Sequence, residues 1–516
     1  MTQVKQLTRR KFLKYSAASA AMLLIGPKLW AASPEFVPDV EIKLTASTGL
    51  EAILPGKKTS VSHYRAQLIK GLASTLQTIA GSYLGPIIRI NKGQKIRVHF
   101  ENKLAEESII HWHGLHIPDN MDGHPQYAIG SGKTFVYEFE VKNRAGTYWF
   151  HPHPHGKTGS QVYAGLAGLF IVSDKEEQAL TLPSAQYDIP LVIQDRNFDR
   201  NNQWRYTQGM MDRMMGIQGE KILVNGNADF VLPVETRPYR LRLLNGSNSR
   251  IYKLAWSDKS EFTVIGTDGG LIERPITKSF IALAPAERVE LWVDFSGKTI
   301  GSEVTLQSLS FDDGSPMGRM GMMSRMMGKG RTNKSKSFNI LSTKVVKKVQ
   351  HTETLPALLT PLKRLSVNDA INAKSPRRFD LTMNRMNWGI NNRTFKMNEV
   401  ASNERVKLGT SEVWDIRNVE SSGMMGMRGA MPHPIHIHGL QFLVIERSHH
   451  KGKNATAWND VKDGYIDDGW KDTVLLMPGE RVKVLLKFED YKGKFLYHCH
   501  NLEHEDRGMM RNYQVT

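Results

Sequence analysis

Ile87 to Leu104 reads IIRINKGQKIRVHFENKL, a run rich in β-branched and aromatic residues, partly alternating in polarity and bounded by Gly, Asn and Pro. A side-chain period near two is that of a half-buried strand. YRLRLLNGSNSRIY (Tyr239 to Tyr252) and RVKVLLKFEDY (Arg481 to Tyr491) have the same character, whereas capped segments of helical period are scarce. Short strands broken by turn signals along a whole chain indicate an all-β protein of sandwiches or barrels. At about 150 residues per domain, 516 residues predict three domains, each able to bury its own core. Boundaries are expected near Lys175, where GLAGLFIVSD gives way to KEEQ, and near Lys347, in the connector KVVKKVQHTET. The expected organisation is therefore 33–175, 176–347 and 348–516 after a leader of 32 residues.

Thr8 to Lys14 form a twin-arginine motif, and the apolar run Tyr15 to Ile25 that follows is too short for a permanent membrane span. Gly26 and Pro27 end it, and Ala31, Ala32 and Ser33 offer a cleavage region. These features predict export by the twin-arginine machinery to the periplasm, removal of the leader near Ala32 and no stable membrane insertion. Loss of Lys5, Arg9, Arg10, Lys11, Lys14 and Lys28, with no acid among the first 32 residues, takes the formal net charge from +18 to +12. The remaining basic residues are scattered, which argues for a solvated surface and against a nucleic-acid partner. Cys499 is the single cysteine, so no intrachain disulfide can form.

Four motifs hold ten of the eighteen histidines as candidate ligands: His111 and His113 in HWHG, His151 and His153 in HPHPHG, whose third histidine is His155, His433, His436 and His438 in HPIHIHG, and His498, His500 and His504 in HCHNLEH. In a strand, residues i and i+2 share a face, so each His-x-His pair sets two imidazoles side by side, with Cα atoms roughly 7 Å apart. One such pair is a weak signal, common to zinc hydrolases and cupins. Four can surround a cluster. In HCHNLEHEDRGMM, Cys499, His504 and Met509 recur at intervals of five, and His433 lies upstream. A thiolate, two imidazoles and a weak thioether suit a blue electron-transfer copper, whereas zinc takes closed Cys/His sets or keeps a water. If His498 and His500 face the cluster, Cys499 points the other way, and one tripeptide joins the two centres.

These four motifs resemble those of the multicopper oxidases, and the leader resembles that of the bacterial copper efflux oxidases. GPIIRINKGQKIRV, LAPAERVELWVDFS and GWKDTV are similar to family strands, so the resemblance covers nearly the whole chain after the leader. It implies three cupredoxin-like Greek-key β-sandwich domains and four copper ions. It further implies a type 1 copper held by His433, Cys499 and His504 with Met509 axial, a type 2 copper at His111 and His436, and a type 3 pair at His113, His151, His153, His438, His498 and His500. Glu505 and Asp122 resemble the acids that the family uses around its cluster for proton delivery; the plainer reading of each is a carboxylate that orients an imidazole. Asp472 and Asp506 are candidates for hydrogen bonds to the type 1 histidines. His116, His124, His155, His449 and His450 are read as non-ligands, the last two as solvated.

Fourteen of the 23 methionines cluster: at 210–215; at 317–327, with Met320, Met323 and Met327 at helical spacing; and at 424–431, ending in Met431 just before His433. Thioethers suit Cu(I). Asp312 to Ser337 contains no Leu, Ile, Val or aromatic residue and reads as an insertion rather than core. In the copper efflux oxidases an acid accompanies the methionine before the type 1 histidine, and Gly429 stands where it is expected here. The expected activity is oxidation of Cu(I) to Cu(II) coupled to reduction of O2 to water. Laccase-like oxidation of phenols or other small reductants, non-enzymatic copper storage and a purely structural role are the alternatives.

Overall fold

A computed structural model describes residues 33, 35–206, 209–312, 337–362, 365–384, 387–418, 431–450 and 455–516. The leader, Met320, Met323, Met327 and Gly429 lie outside the described residues.

The quoted stretch folds into two strands, Ile87–Asn91 and Lys95–Asn102, which the turn between them sends into opposite sheets. One sheet orders Thr59–Lys70, Val40–Glu51, Lys95–Asn102 and Lys133–Glu140; the other runs Leu76–Gln77, Ile87–Asn91, Gly168–Ser173, Gly146–Pro152 and Ile110–His113. Between them Ile42, Val98, Phe100, Trp112 and Phe150 form a core from which water is excluded. Asp188 to Lys347 supply a seven-stranded and a five-stranded sheet, and Arg377 to Val515 supply two five-stranded sheets. Each pair encloses its own apolar cluster, as stacked sheets with one apolar face require. The chain is thus all-β, in three cupredoxin-like sandwiches.

Tyr239 to Tyr252 is only partly strand, because Pro238–Asn245 ends at Asn245 and Gly246 to Ile251 form the connection to Tyr252–Trp256. The α-helices among the described residues are short, and the longest, Ala455–Val461, has seven residues. No helix among the described residues is long and apolar enough to cross a membrane.

Candidate metal centres

One sheet of the third sandwich separates two sets of donor atoms. His433–Ile437 pairs with Gly493–Cys499 so that Ile435 faces Cys499 and His436 faces His498. Successive side chains take opposite faces, so His433, Ile435 and Cys499 turn into the sandwich core beside Met509 and Trp388, while His436 and His498 turn outward. The first sandwich mirrors this arrangement. There Trp112 and Phe150 pair across the ladder and point into the core, and His111 and His151 pair and point out. The outward faces meet, with the His111 ring stacked on His438 and the His113 ring stacked on His436, both with centroids 3.7 Å apart.

The eight outward imidazoles sort themselves by nitrogen distance. His111 Nε2 and His436 Nε2 are 3.2 Å apart. His498 Nε2 lies 3.4 Å from His153 Nε2 and 2.9 Å from His438 Nε2. His113 Nδ1 lies 3.4 Å from His151 Nε2, and the His500 ring sits 5.1 and 5.2 Å from these two rings. The opposite nitrogens are held by acceptors: His111 Nδ1 by the Asp122 carbonyl at 2.6 Å, His436 Nδ1 by the Asp472 carbonyl at 2.8 Å, His438 Nδ1 by Asp122 Oδ2 at 2.7 Å and His151 Nδ1 by the Pro152 carbonyl at 2.9 Å. An imidazole donating from one nitrogen presents a lone pair at the other. Burial first, and neighbouring imidazoles second, hold His111, His436, His438 and His500 well below their ordinary range and His151 at about 3. They are neutral, as metal ligands must be. Both His500 nitrogens and His153 Nδ1 are buried without a hydrogen-bond partner, a costly state that a bound metal relieves at a facing nitrogen.

On the inner face, Cys499 Sγ lies 3.4 Å from His433 Nδ1 and 3.7 Å from His504 Nδ1, and the two nitrogens are 3.3 Å apart. All three residues and Met509 are fully buried. Burial pushes the thiol up, so the thiolate needs a cation beside it. The soft donor set therefore fits copper. His504 Nε2 donates to the Met214 carbonyl at 2.9 Å, and the same carbonyl accepts from Trp388 Nε1 at 2.8 Å. The short helix Met210–Met215 thus closes over His504. Its approach is fixed by Glu503, which accepts from Tyr206 Oη, Asn248 Nδ2 and the Ile217 N–H, and which burial pushes up to about 7. Nothing in the sequence announced a backbone carbonyl at His504, since any residue can supply one. Trp388 was legible only as one aromatic among many.

Glu505 stands between two cluster histidines, 3.2 Å from His498 Nδ1 and 3.5 Å from His153 Nε2. Burial alone would raise its carboxyl, but the His498 and His153 imidazoles bring it down to about 2. Asp122 grips His438 through Oδ2, while its Oδ1 has no hydrogen-bond partner and burial pushes the carboxyl well up. The expectation that Asp472 and Asp506 serve the type 1 histidines is corrected by the structure. Asp472 Oδ1 lies 3.1 Å from His113 Nε2 on the cluster side, because the strand it leads into, Thr473–Leu476, pairs its first residue with His436. Asp506 accepts the backbone N–H groups of Thr158 and Gly159 and ties the third sandwich to the first.

Met431, two residues before His433, is buried in the third core with Met509 and Trp388. Among the histidines read as non-ligands, His116 pairs with Asp490, His124 is buried against Asn512, and His155 packs on Phe395. His450 is exposed, but His449 is not simply solvated: its ring stacks on Trp458 and Nε2 meets the Pro478 carbonyl.

A family model described as multicopper oxidase matches residues 60–177, and a second with the same description matches residues 370–516. The multicopper oxidase mco of Staphylococcus aureus is 34% identical over 455 residues, covering 88% of this chain and 86% of that one. A laccase of Bacillus stratosphericus is 32% identical over 496 residues, covering 85% and 90%. Among solved structures, the McoA multicopper oxidase of the hyperthermophile Aquifex aeolicus superposes with a TM-score of 0.75 at 33% identity, over 93% of this chain and 97% of that one.

Proposed function

This chain belongs to the multicopper oxidase family, an oxidoreductase that uses O2 and four copper ions, and from that premise we propose that its reductant is Cu(I), oxidised to Cu(II) for copper tolerance. When bound, copper supplies one-electron oxidation of the reductant at the thiolate centre and four-electron reduction of O2 to water at the histidine cluster. In this reading His433, Cys499 and His504, with the Met509 thioether beside them, would hold the type 1 ion. His111 and His436 would hold the type 2 ion, and His113, His151 and His500 together with His153, His438 and His498 would hold the type 3 pair. The observation that carries it is the sorting of the strand histidines and one thiol by sheet face, with the opposite nitrogens held by Asp122 and backbone carbonyls.

The remaining roles belong to the chain's own atoms. Glu505, an ionised carboxylate within reach of His498 and His153, takes up protons in transit and passes them on. Asp122 keeps the His438 proton on Nδ1 and, through its free Oδ1, can hold a further one. The Met214 carbonyl occupies the His504 N–H that a phenol would need to reach, which favours a small reductant. Met320, Met323 and Met327, with Met431 near His433, are proposed as soft donors for Cu(I). Laccase-like oxidation of small phenols is the second reading, favoured by the similarity to the Bacillus laccase.

The two readings separate on deletion of residues 313–336. That segment leaves the sheet between strands already paired, Ser308 opposite Phe338, with the Ser310 N–H on Ser337 Oγ, so a short turn can replace it. Cu(I) oxidation, followed by O2 uptake, is expected to fall by on the order of tenfold, about 1.4 kcal/mol of lost binding, while phenol oxidation stays equal or rises. A parallel fall of both activities defeats the Cu(I) assignment. We also propose twin-arginine export to the periplasm with cleavage near Ala32, supported by Thr8 to Lys14 and the apolar run after it. Arg9→Lys together with Arg10→Lys is expected to strand the protein in the cytoplasmic fraction. Normal export of that variant would exclude the route.

A further inference from the structure

We infer that Arg288, from the middle sandwich, is a positioning residue for the histidine cluster, fixing the Asp472 carboxylate that holds His113 by its Nε2. The residues from Asp188 to Lys347 supply none of the ten histidines, and the inference rests on reading that cluster as the copper site. Arg288 opens the strand Arg288–Asp294 and is fully buried. Every one of its five N–H groups has an acceptor. Nε donates to the Thr147 carbonyl at 2.9 Å, Nη1 to the Ala286 carbonyl at 3.0 Å and Asp472 Oδ1 at 2.7 Å, and Nη2 to the Asp268 carbonyl at 3.0 Å and Asp472 Oδ2. Thr147 lies on the strand that carries His151, and Asp472 precedes the strand that pairs with His436. One guanidinium therefore touches both histidine-bearing sandwiches.

The chemistry follows from the fork. A carboxylate buried beside a neutral imidazole is costly without a counter-charge, and a bidentate guanidinium supplies the charge while fixing the carboxylate plane. With its plane fixed, Asp472 Oδ1 accepts from Thr473 Oγ1 at 3.0 Å and faces His113 Nε2 at 3.1 Å. His113 then keeps its proton on Nε2 and turns Nδ1, the nitrogen 3.4 Å from His151 Nε2, toward the metal. Asp268 locks the same turn from behind, its Oδ2 accepting the Asp472 and Thr473 N–H groups at 3.3 Å each. Lysine cannot replace the fork, having a single ammonium and no planar pair of donors.

A second, independent observation is the glycine of HWHG. Gly114 has φ +86°, and a Cβ there would lie 2.4 Å from Asp472 Oδ2 and 2.8 Å from Arg288 Nη2. The residue directly after His113 is the one whose missing side chain leaves room for this ion pair.

The test uses the full-length chain loaded with copper, comparing Arg288→Lys and Asp472→Asn with the wild type. Copper per chain, the electron paramagnetic resonance of the type 2 ion, the blue absorption of the type 1 ion and the melting of the copper-free protein are measured. Both variants are expected to bind cluster copper about 10- to 100-fold more weakly, the usual effect of removing a partner behind a ligand. Because the Asp472 carbonyl also holds the type 2 histidine His436, the type 2 signal should change or vanish while the blue absorption, on the other face of the sheet, is retained. Four retained coppers with an unchanged type 2 signal in both variants overturn the role of Arg288, as does joint loss of blue absorption and cluster copper, which marks general damage. Should Arg288→Lys fail to fold, the near-isosteric Asp472→Asn decides alone. A wild-type chain that takes up no copper overturns the metal reading itself, an outcome distinct from unchanged variants of a wild type that binds four.

Discussion

Cys499→Ser is expected to leave a folded protein that has lost its blue absorption and its oxidase turnover together. The serine hydroxyl is close in size to the thiol and can still accept the Asn501 N–H that meets Cys499 Sγ at 3.4 Å, so the copper-free stability should change by less than about 1.5 kcal/mol. What disappears is the one soft anionic donor in a fully buried site otherwise made of two imidazoles and a thioether. The blue charge-transfer band belongs to the thiolate, and the covalent path from this centre to the cluster runs through the same residue into His498 and His500. Absorbance, copper content and O2 uptake check the result. A serine variant that stays blue excludes Cys499 as the ligand.

Glu505→Gln should separate the two halves of the cycle. The amide keeps the shape of the side chain and its place 3.2 Å from His498 Nδ1, but it cannot take up and release a proton. Removing a positioned proton carrier typically costs 10²–10⁴-fold, so reoxidation of the reduced enzyme by O2 should slow by roughly that factor. Reduction of the thiolate centre by the reductant, on the far face of the sheet, should be unchanged. Stopped-flow bleaching of the blue colour without O2, followed by its return on mixing with O2, reads the two halves apart. If the return is as fast as in the wild type, Glu505 only orients His498.

The strand pattern was legible because a period of two survives in sequence. IIRINKGQKIRV could be read as strand on sight, although not as two strands in two sheets, since which sheet each strand joins depends on pairings with Val40–Glu51 and Gly168–Ser173 far away. The histidines were legible for the same reason, as i, i+2 spacing is a local statement about one face. The residues behind them were not. Asp472 lies one position before the strand that pairs with His436, and that pairing, which places it on the cluster side, is not written in the local sequence. Arg288 and Asp268 lie in the middle sandwich, far in sequence from every histidine they influence. The Met214 carbonyl is invisible to composition altogether. What the sequence shows of a site is what one strand can carry; what orients the site comes from other strands and loops, and for Arg288, Asp268 and the Met214 carbonyl from another sandwich.

The sheet that carries both centres has a consequence for how its sequence can change. Because the ladder sets Ile435 against Cys499 and His436 against His498, inserting or deleting one residue in Gly493–Cys499 does not spoil a single centre. A shift by one position turns every side chain to the other face, so the thiol would enter the histidine cluster and two imidazoles the apolar core. The two centres can be altered separately by substitution but not by a change in length. To an insertion or deletion, this strand presents one indivisible unit of information.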